Sequence, residues 1–111
     1  MGRGPMVERN VEAVAPLLRD DAFKLLLAHH PHAFDAAADA GIDFTLAGHT
    51  HGGQLMLTPN LGPGSWMFKY WTGLYERGPS AMVVSNGVGN WFPLRINAPA
   101  ELVHVTLRRA E

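Results

Sequence analysis

The residues best able to do chemistry are histidines, and their spacing organises the chain. Five of the six lie between Phe23 and Leu55, in the stretch FKLLLAHHPHAFDAAADAGIDFTLAGHTHGGQL. His29, His30 and His32 follow the apolar run Lys24–Ala28, and His49 and His51 follow the run Phe44–Ala47. Both groups therefore stand where strands are expected to end. His49 and His51 are two residues apart, a spacing that in extended chain returns both side chains to the same side. Gly48 before them and Gly52-Gly53 after them permit a sharp turn and close backbone approach. Neutral imidazole is a common ligand of divalent transition ions, so His29, His49 and His51 converging from two strand ends predict a metal site.

A lone loop histidine is ordinarily solvated. What makes this pattern specific is Gly-His-Thr-His-Gly-Gly together with an upstream His-x-Pro. The nearby carboxylates carry less. Asp35 and Asp39 share one helix face and Asp43 precedes the second strand; all three are expected to be solvated or to cap, because strand ends rather than helix flanks present ligands. His32 is expected at a helix start, and His104 facing out of a final strand or satisfied within it. Trp66, Phe68, Tyr70, Trp71 and Tyr75 form an aromatic group expected to pack in the core rather than to bind an apolar substrate tail. Asn86-Gly87-Val88-Gly89 lacks the strand-to-helix context of a phosphate loop and reads as a turn.

The elements that must position the histidines follow from local signals. Phe23–Ala28 reads as a buried strand. Pro31 suits the first turn of a helix, Phe34–Ala40 has high helix propensity, and Gly41 stands where a left-handed C-cap is wanted. Ile42–Ala47 is a second short strand. If the two strands are parallel, this βαβ-sized unit brings both histidine groups to one sheet edge. Upstream, residues 1–22 form a separate N-terminal segment in which Met1–Pro5 is expected to fray and Asn10 to cap a helix over Val11–Leu18, limited by Pro16. Downstream, Gln54–Leu57 extends briefly and Thr58–Ser65 is a Pro- and Gly-rich loop. Met67–Tyr75 is strand-compatible, Ala81–Ser85 is a small strand, and Glu101–Leu107 a closing strand with Leu102 and Val103 on opposite faces.

Composition sets the outer limits. The 111 residues amount to at most one domain, and 47% hydrophobic content supports a modest core. A net charge of -1 with nine scattered basic residues excludes the basic stripe of a nucleic-acid binder. The absence of cysteine removes thiolate ligands and thiol nucleophiles and fits a reducing, cytoplasmic compartment. No apolar run approaches the roughly 18 residues of a membrane span.

Together these residues carry a resemblance to a known family. Leu27-Ala28-His29-His30-Pro31 and Leu46-Ala47-Gly48-His49-Thr50-His51-Gly52-Gly53-Gln54 resemble the last two signature motifs of the calcineurin-like metallophosphoesterases. Gly73-Leu74-Tyr75, Val83–Gly89, Pro93-Leu94-Arg95 and Pro99–Leu102 are similar to the C-terminal part of a bacterial branch acting on phosphodiesters and on the pyrophosphate of acylated UDP-sugars. The likeness covers most of residues 23–109. His30 stands where that branch often has Asn. The resemblance implies an α+β fold, the C-terminal portion of a two-sheet β-sandwich with flanking helices (αββα), incomplete here. It implies a two-metal centre, filled by Mn, Zn or Fe, in which His29 and His49 bind one ion and His51 the other. The substrate it implies is a phosphoester or pyrophosphate, lipid-linked ones included, in a full-length protein that is cytoplasmic or membrane-associated.

The family's first three motifs, Asp-x-His, Gly-Asp-x-x-Asp and Gly-Asn-His followed by an acid, do not occur in the chain. A piece of a metal-dependent phosphoesterase that is inactive alone is thus the leading expectation. Such a piece would require a complementing N-terminal half, or would self-associate through uncovered apolar faces such as Leu25/Leu27 and Leu102/Val103. A non-catalytic metal-binding remnant and a purely structural piece are the alternatives.

Overall fold

Proline and glycine punctuate the chain into its elements. In the computed structural model, which describes residues 4–56, 58, 69–90 and 93–110, a helix α1 spans Gly4–Val14. Pro5 falls in its first turn, where a missing N–H costs nothing. Pro16 cannot continue the α-helical ladder, and Ala15–Leu17 tightens into a 3₁₀ turn closed by Leu18 N–H on the Ala15 carbonyl at 3.1 Å. The expected cap at Asn10 is therefore corrected: Asn10 is an exposed residue inside α1, and the helix begins before it rather than after it. Val11 is the buried anchor, while Leu17 is exposed.

Next come β1 (Leu25–Leu27), a 3₁₀ turn at Pro31–Ala33 and α2 (Phe34–Asp39). Gly41 ends this helix at φ 81°, as expected of a left-handed stop. Then follow β2 (Phe44–Ala47), a 3₁₀ turn at His51–Gly53, β3 (Gly73–Arg77) and β4 (Ser80–Val84). Gly78 takes φ 57° in the two-residue connection between β3 and β4, the positive φ that such a hairpin demands. The strands form one mixed sheet in the order β1-β2-β4-β3. β1 pairs parallel with β2 and β2 with β4, while β3 and β4 are antiparallel. The parallel βαβ unit is thus present, with its two histidine-bearing ends side by side.

The register sorts the strand residues onto two faces. Leu26, Thr45, Met82 and Tyr75 share one row and Ala47 and Val84 the next, all on the face that the helices cover. There Phe34 of α2 packs with Ala47, Tyr70, Met82 and Val84, and Val11 of α1 packs with Ala33, Ala37 and Ile42. Tyr70 lies edge-on to both Phe34 and Tyr75, with ring centroids 5.4 and 4.9 Å apart, and Trp71 packs with Met56 and Ala98. Tyr70, Trp71 and Tyr75 are accordingly core residues; Trp66 and Phe68 lie outside the described residues.

The opposite face carries Leu25, Leu27, Phe44, Leu46, Ala81, Val83 and Leu74 in two aligned rows. None of these side chains is fully buried, and Leu27 and Leu74 are 75% and 64% exposed. The expectation of a buried strand at Phe23–Ala28 is corrected here: β1 is an edge strand with one face largely open, Leu25 being 47% exposed. The closing strand expected over Glu101–Leu107 does not form either. Residues 101–110 run as irregular chain with Leu102 91% exposed and no ladder partner among the described residues, and a strand without a partner edge has only its propensity to hold it. His104 is exposed in this segment. Of the brief extension expected over Gln54–Leu57, Leu55 makes a parallel bridge to Ile96, while Gln54 is left-handed at φ 57° and Leu57 lies outside the described residues; the loop beyond it, from Pro59 to Ser65, lies outside them as well.

Candidate metal centre

β1 and β2 both run toward the same edge, so the residues after them meet. Gly48 N–H donates to the His29 carbonyl at 3.3 Å and Ala28 N–H to Leu46 at 2.9 Å, which continues the parallel pairing to the last residue before the histidines turn out. At the other end of the pair, Asp43 accepts the Lys24 N–H at 2.8 Å. Pro31 holds His30 in extended backbone (φ −94°, ψ 131°) and then turns the chain into α2.

His49 is held differently. Thr50 N–H bonds the Gly48 carbonyl at 2.9 Å, closing a three-residue turn about His49, whose φ is 71°. Such a γ-turn is rare and strained for a residue with a side chain. His51 (φ 52°) and Gln54 (φ 57°) are also left-handed, so three non-glycine residues within six positions leave the favoured regions. Strain of this kind, on the order of 1–3 kcal/mol per residue, persists only where surrounding structure over-determines it. That structure is evident: Thr50 is buried and donates its hydroxyl to the Trp71 carbonyl, and fully buried Gln54 donates to the Leu94 carbonyl at 2.6 Å.

These turns bring three imidazoles together. His49 Nδ1 lies 2.7 Å from His29 Nε2, the His30 and His49 ring centroids are 3.9 Å apart, and one nitrogen from each of His29, His30 and His49 falls within 4.8 Å of the others. Facing nitrogens at 2.7 Å share one proton, and a bound cation would take the place of that proton. The donor set is thus all nitrogen, partly exposed and at a strand edge, and it fits a divalent transition ion.

His51 stands outside this group. Its Nδ1 is 3.2 Å from the Asn86 carbonyl oxygen, which can only accept, so Nδ1 carries the proton and Nε2 keeps its lone pair. A backbone carbonyl orienting a histidine in this way is the usual support of a metal-ligating ring. Asn86 is itself fixed: its side chain accepts from the Thr72 hydroxyl at 2.7 Å, its N–H donates to Glu101 at 2.7 Å, and Arg95 reaches its carbonyl at 3.3 Å. Arg95 also donates to the carbonyls of Gly89 and of Ala98, the latter at 2.8 Å, so one guanidinium ties the loop after β4 to the segment that follows.

Sequence reasoning selected His29, His49 and His51. The structure brings the first two together with His30 and sets His51 beside Asn86. His30, at a position where the family branch often has Asn, is not among the residues selected from sequence; the signal available is Pro31, which turns the chain just after the two histidines, past the end of β1 at Leu27.

The carboxylates stand elsewhere. Asp35 accepts from Lys69 at 2.7 Å and from the Tyr70 hydroxyl at 2.8 Å, and Arg77 bridges Asp35 and Asp39, reaching Asp39 at 2.9 Å. Rather than being merely solvated or capping, these side chains tether α2 to residues 69–70 and to β3. Burial alone would raise the Asp35 carboxyl, but the hydrogen bonds from Lys69 and Tyr70 and the charges of Lys69 and Arg77 outweigh it and leave its pKa below the ordinary 3.8. Tyr70 is pushed above 10.0, by burial first and then by its bond to Asp35.

Comparison with known proteins places the chain. It belongs to the calcineurin-like metallophosphoesterase family: curated relatives bearing the metallophosphoesterase name are 32–38% identical to it, matched in their C-terminal parts. One is the uncharacterized metallophosphoesterase YkuE of Bacillus subtilis, 36% identical over 101 residues that make up 87% of this chain and 35% of the relative. Another is the phosphodiesterase YaeI of Escherichia coli, 34% identical over 87 residues, 76% of this chain and 32% of the relative. A third is a transmembrane protein with metallophosphoesterase domain from Bos taurus, 32% identical across 98% of this chain and 24% of the relative. The chain spans about a third or less of the length of these relatives. No family model matches it, and no solved structure does. Membership implies divalent metal ions. Among the described residues no helix is long and apolar enough to cross a membrane.

Proposed function

We propose that this chain supplies the histidine-rich C-terminal part of a two-metal phosphoesterase centre that hydrolyses phosphodiester, phosphomonoester or pyrophosphate bonds, with lipid-linked esters within its range. The observation that carries this reading is the meeting of His29 and His49 across two parallel strand ends, with His51 two residues on and its Nε2 lone pair free of the Asn86 bond. In this reading His29 and His49 hold one ion, Mn, Zn or Fe, and His51 the other. When bound, such ions supply an activated water and neutralise the leaving oxygen. The chain's own residues orient the imidazoles: the γ-turn aims His49, Asn86 fixes the tautomer of His51, and Arg95 keeps Asn86 in place.

The open apolar face supports a second part of the proposal. One row of apolar side chains across all four strands, and a second across three that ends at Glu76, fit the inner face of a β-sandwich lacking its other sheet. The missing sheet and the absent acidic and Asn motifs are assigned to one N-terminal part, carried upstream in the same polypeptide or on a separate chain. The cysteine-free composition suits the cytoplasm, and the transmembrane relatives favour membrane association of the full-length protein.

The test uses bis-p-nitrophenyl phosphate with Mn²⁺. The chain alone is expected to show no turnover above background. Fused behind the N-terminal two thirds of the Bacillus relative, it is expected to give metal-dependent turnover that His49→Ala and His51→Ala each abolish. Metal-dependent turnover by the chain alone, or a folded, metal-loaded fusion without activity, would overturn the proposal.

A further inference from the structure

His30 has no role in the two-metal reading, yet its ring is nearer to His49 than that of His29: the centroids are 3.9 Å apart for His30–His49 and 4.5 Å for His29–His49. His29 and His30 also meet each other edge to face, at 5.1 Å and 86°. Consecutive residues of a strand direct their side chains apart, but β1 ends at Leu27, so His29 and His30 lie past it in a bend and escape that alternation. The buried Pro31 and Ala33 fix the turn that follows. On the facing strand the γ-turn spends backbone strain to aim His49 at the same point. Three aromatic rings brought to one spot on a partly exposed edge, one of them by a strained turn, are not what packing alone requires.

We infer that His29, His30 and His49 form a three-imidazole site that holds a single divalent transition ion in the chain as it stands, before any N-terminal motif joins it. The inference rests on the proposed reading for His29 and His49 as ligands and adds His30, with the consequence that one ion site is complete within this chain. Three imidazoles leave one position of a tetrahedral ion open, the arrangement of sites that bind an exchangeable ligand rather than closed structural ones. With no carboxylate in the group, the bound ion keeps its full double charge, and the open position favours an anionic oxygen such as a phosphate's. Ligand nitrogens about 2.0–2.1 Å from a tetrahedral ion lie about 3.3 Å apart. The three nitrogens, all within 4.8 Å, reach that spacing by side-chain rotation, which the exposure of His29 and His49 allows. An all-imidazole set selects Zn²⁺ over Mn²⁺, following the general affinity order rather than the demands of a catalytic pair.

The experiment is calorimetric titration of ZnCl₂ and MnCl₂ into the untagged chain, with ¹⁵N imidazole spectra recorded at each addition. One equivalent of Zn²⁺ is expected to bind more than tenfold tighter than Mn²⁺ and to shift the ring nitrogens of His29, His30 and His49. His30→Ala and His30→Asn are each expected to weaken Zn²⁺ more than tenfold, while His104→Ala leaves it unchanged. The wild-type spectra keep the assignment decisive if a variant misfolds. Unchanged affinity in both His30 variants, or a His30 ring that does not respond to Zn²⁺, would overturn the inference. Turnover of the fusion decides the two-metal reading independently: a site lacking His30 leaves that reading intact, and an inactive fusion leaves this titration to stand alone.

Discussion

The two faces of the sheet are built from similarly apolar residues and treated oppositely. One face is closed by two helices, with Phe34 and Met82 essentially inaccessible; the other leaves Leu25, Leu27 and Leu74 open. Alternation in the strands does not distinguish them, because Leu25, Leu26 and Leu27 are chemically identical and only the middle one meets a helix. Apolar residues on both faces of a parallel strand are the pattern of a sheet meant to be covered twice. The difference teaches that burial here is set by the helices rather than by strand composition, and that the histidine edge sits between a closed face and an open one.

The contrast can be broken most severely from the closed side. Phe34→Ala removes a fully buried ring from the contact between α2 and the sheet and is expected to cost about 3–5 kcal/mol, comparable to the whole stability of many domains, so denaturant melts of the variant should show little cooperative unfolding. A melt matching wild type would mean that the helices do not close this face.

A smaller effect is expected from the polar tether of the same face. Asp35→Ala leaves the buried Tyr70 hydroxyl without its acceptor, at about 1–3 kcal/mol, and the partial exposure of Asp35 keeps the ion-pair share small. The lowered pKa of Asp35 gives a contribution present above its ordinary 3.8 and lost as pH falls through the lower folded value. The raised pKa of Tyr70 gives one present below 10.0 and lost as pH rises through the higher folded value. The stability gap between wild type and Asp35→Ala should therefore be flat between about pH 4 and pH 10 and narrow beyond either end. A gap independent of pH would show that the tether is not electrostatic.

The least effect on folding is expected from the open side. Leu27→Ser should change the unfolding free energy by no more than about 0.5 kcal/mol, because little of the side chain leaves water. It should, however, reduce self-association, seen as a shift toward monomer in sedimentation. Marked destabilisation of the monomer would show that the open face is covered after all.

How much of this was legible in the sequence depended on whether a signal was local. The strand–turn–helix–strand succession from Phe23 to Ala47 could be read because Pro31, Gly41 and Gly48 mark its breaks, and the same breaks placed His29 and His49 at one edge. The start of α1 was misjudged because Asn10 has the chemistry of a cap while the helix is set by Pro5 and Pro16, one on each side of it. The run Glu101–Leu107 has a strand's composition, but pairing is a tertiary fact that no window of residues contains. His30 needed both at once: a local turn at Pro31 and a partner ring on another strand.

Gly52 carries a consequence for how this sequence can change over time. A Cβ placed there would stand 2.5 Å from the Asn86 side-chain oxygen, in a backbone held at φ 61°. Replacing Gly52 therefore demands that Asn86 give way, and Asn86 already answers to Thr72, Glu101 and His51. A side chain at position 52 therefore calls for a matching change at position 86, 34 residues on, whereas most side chains after Glu101 stand exposed.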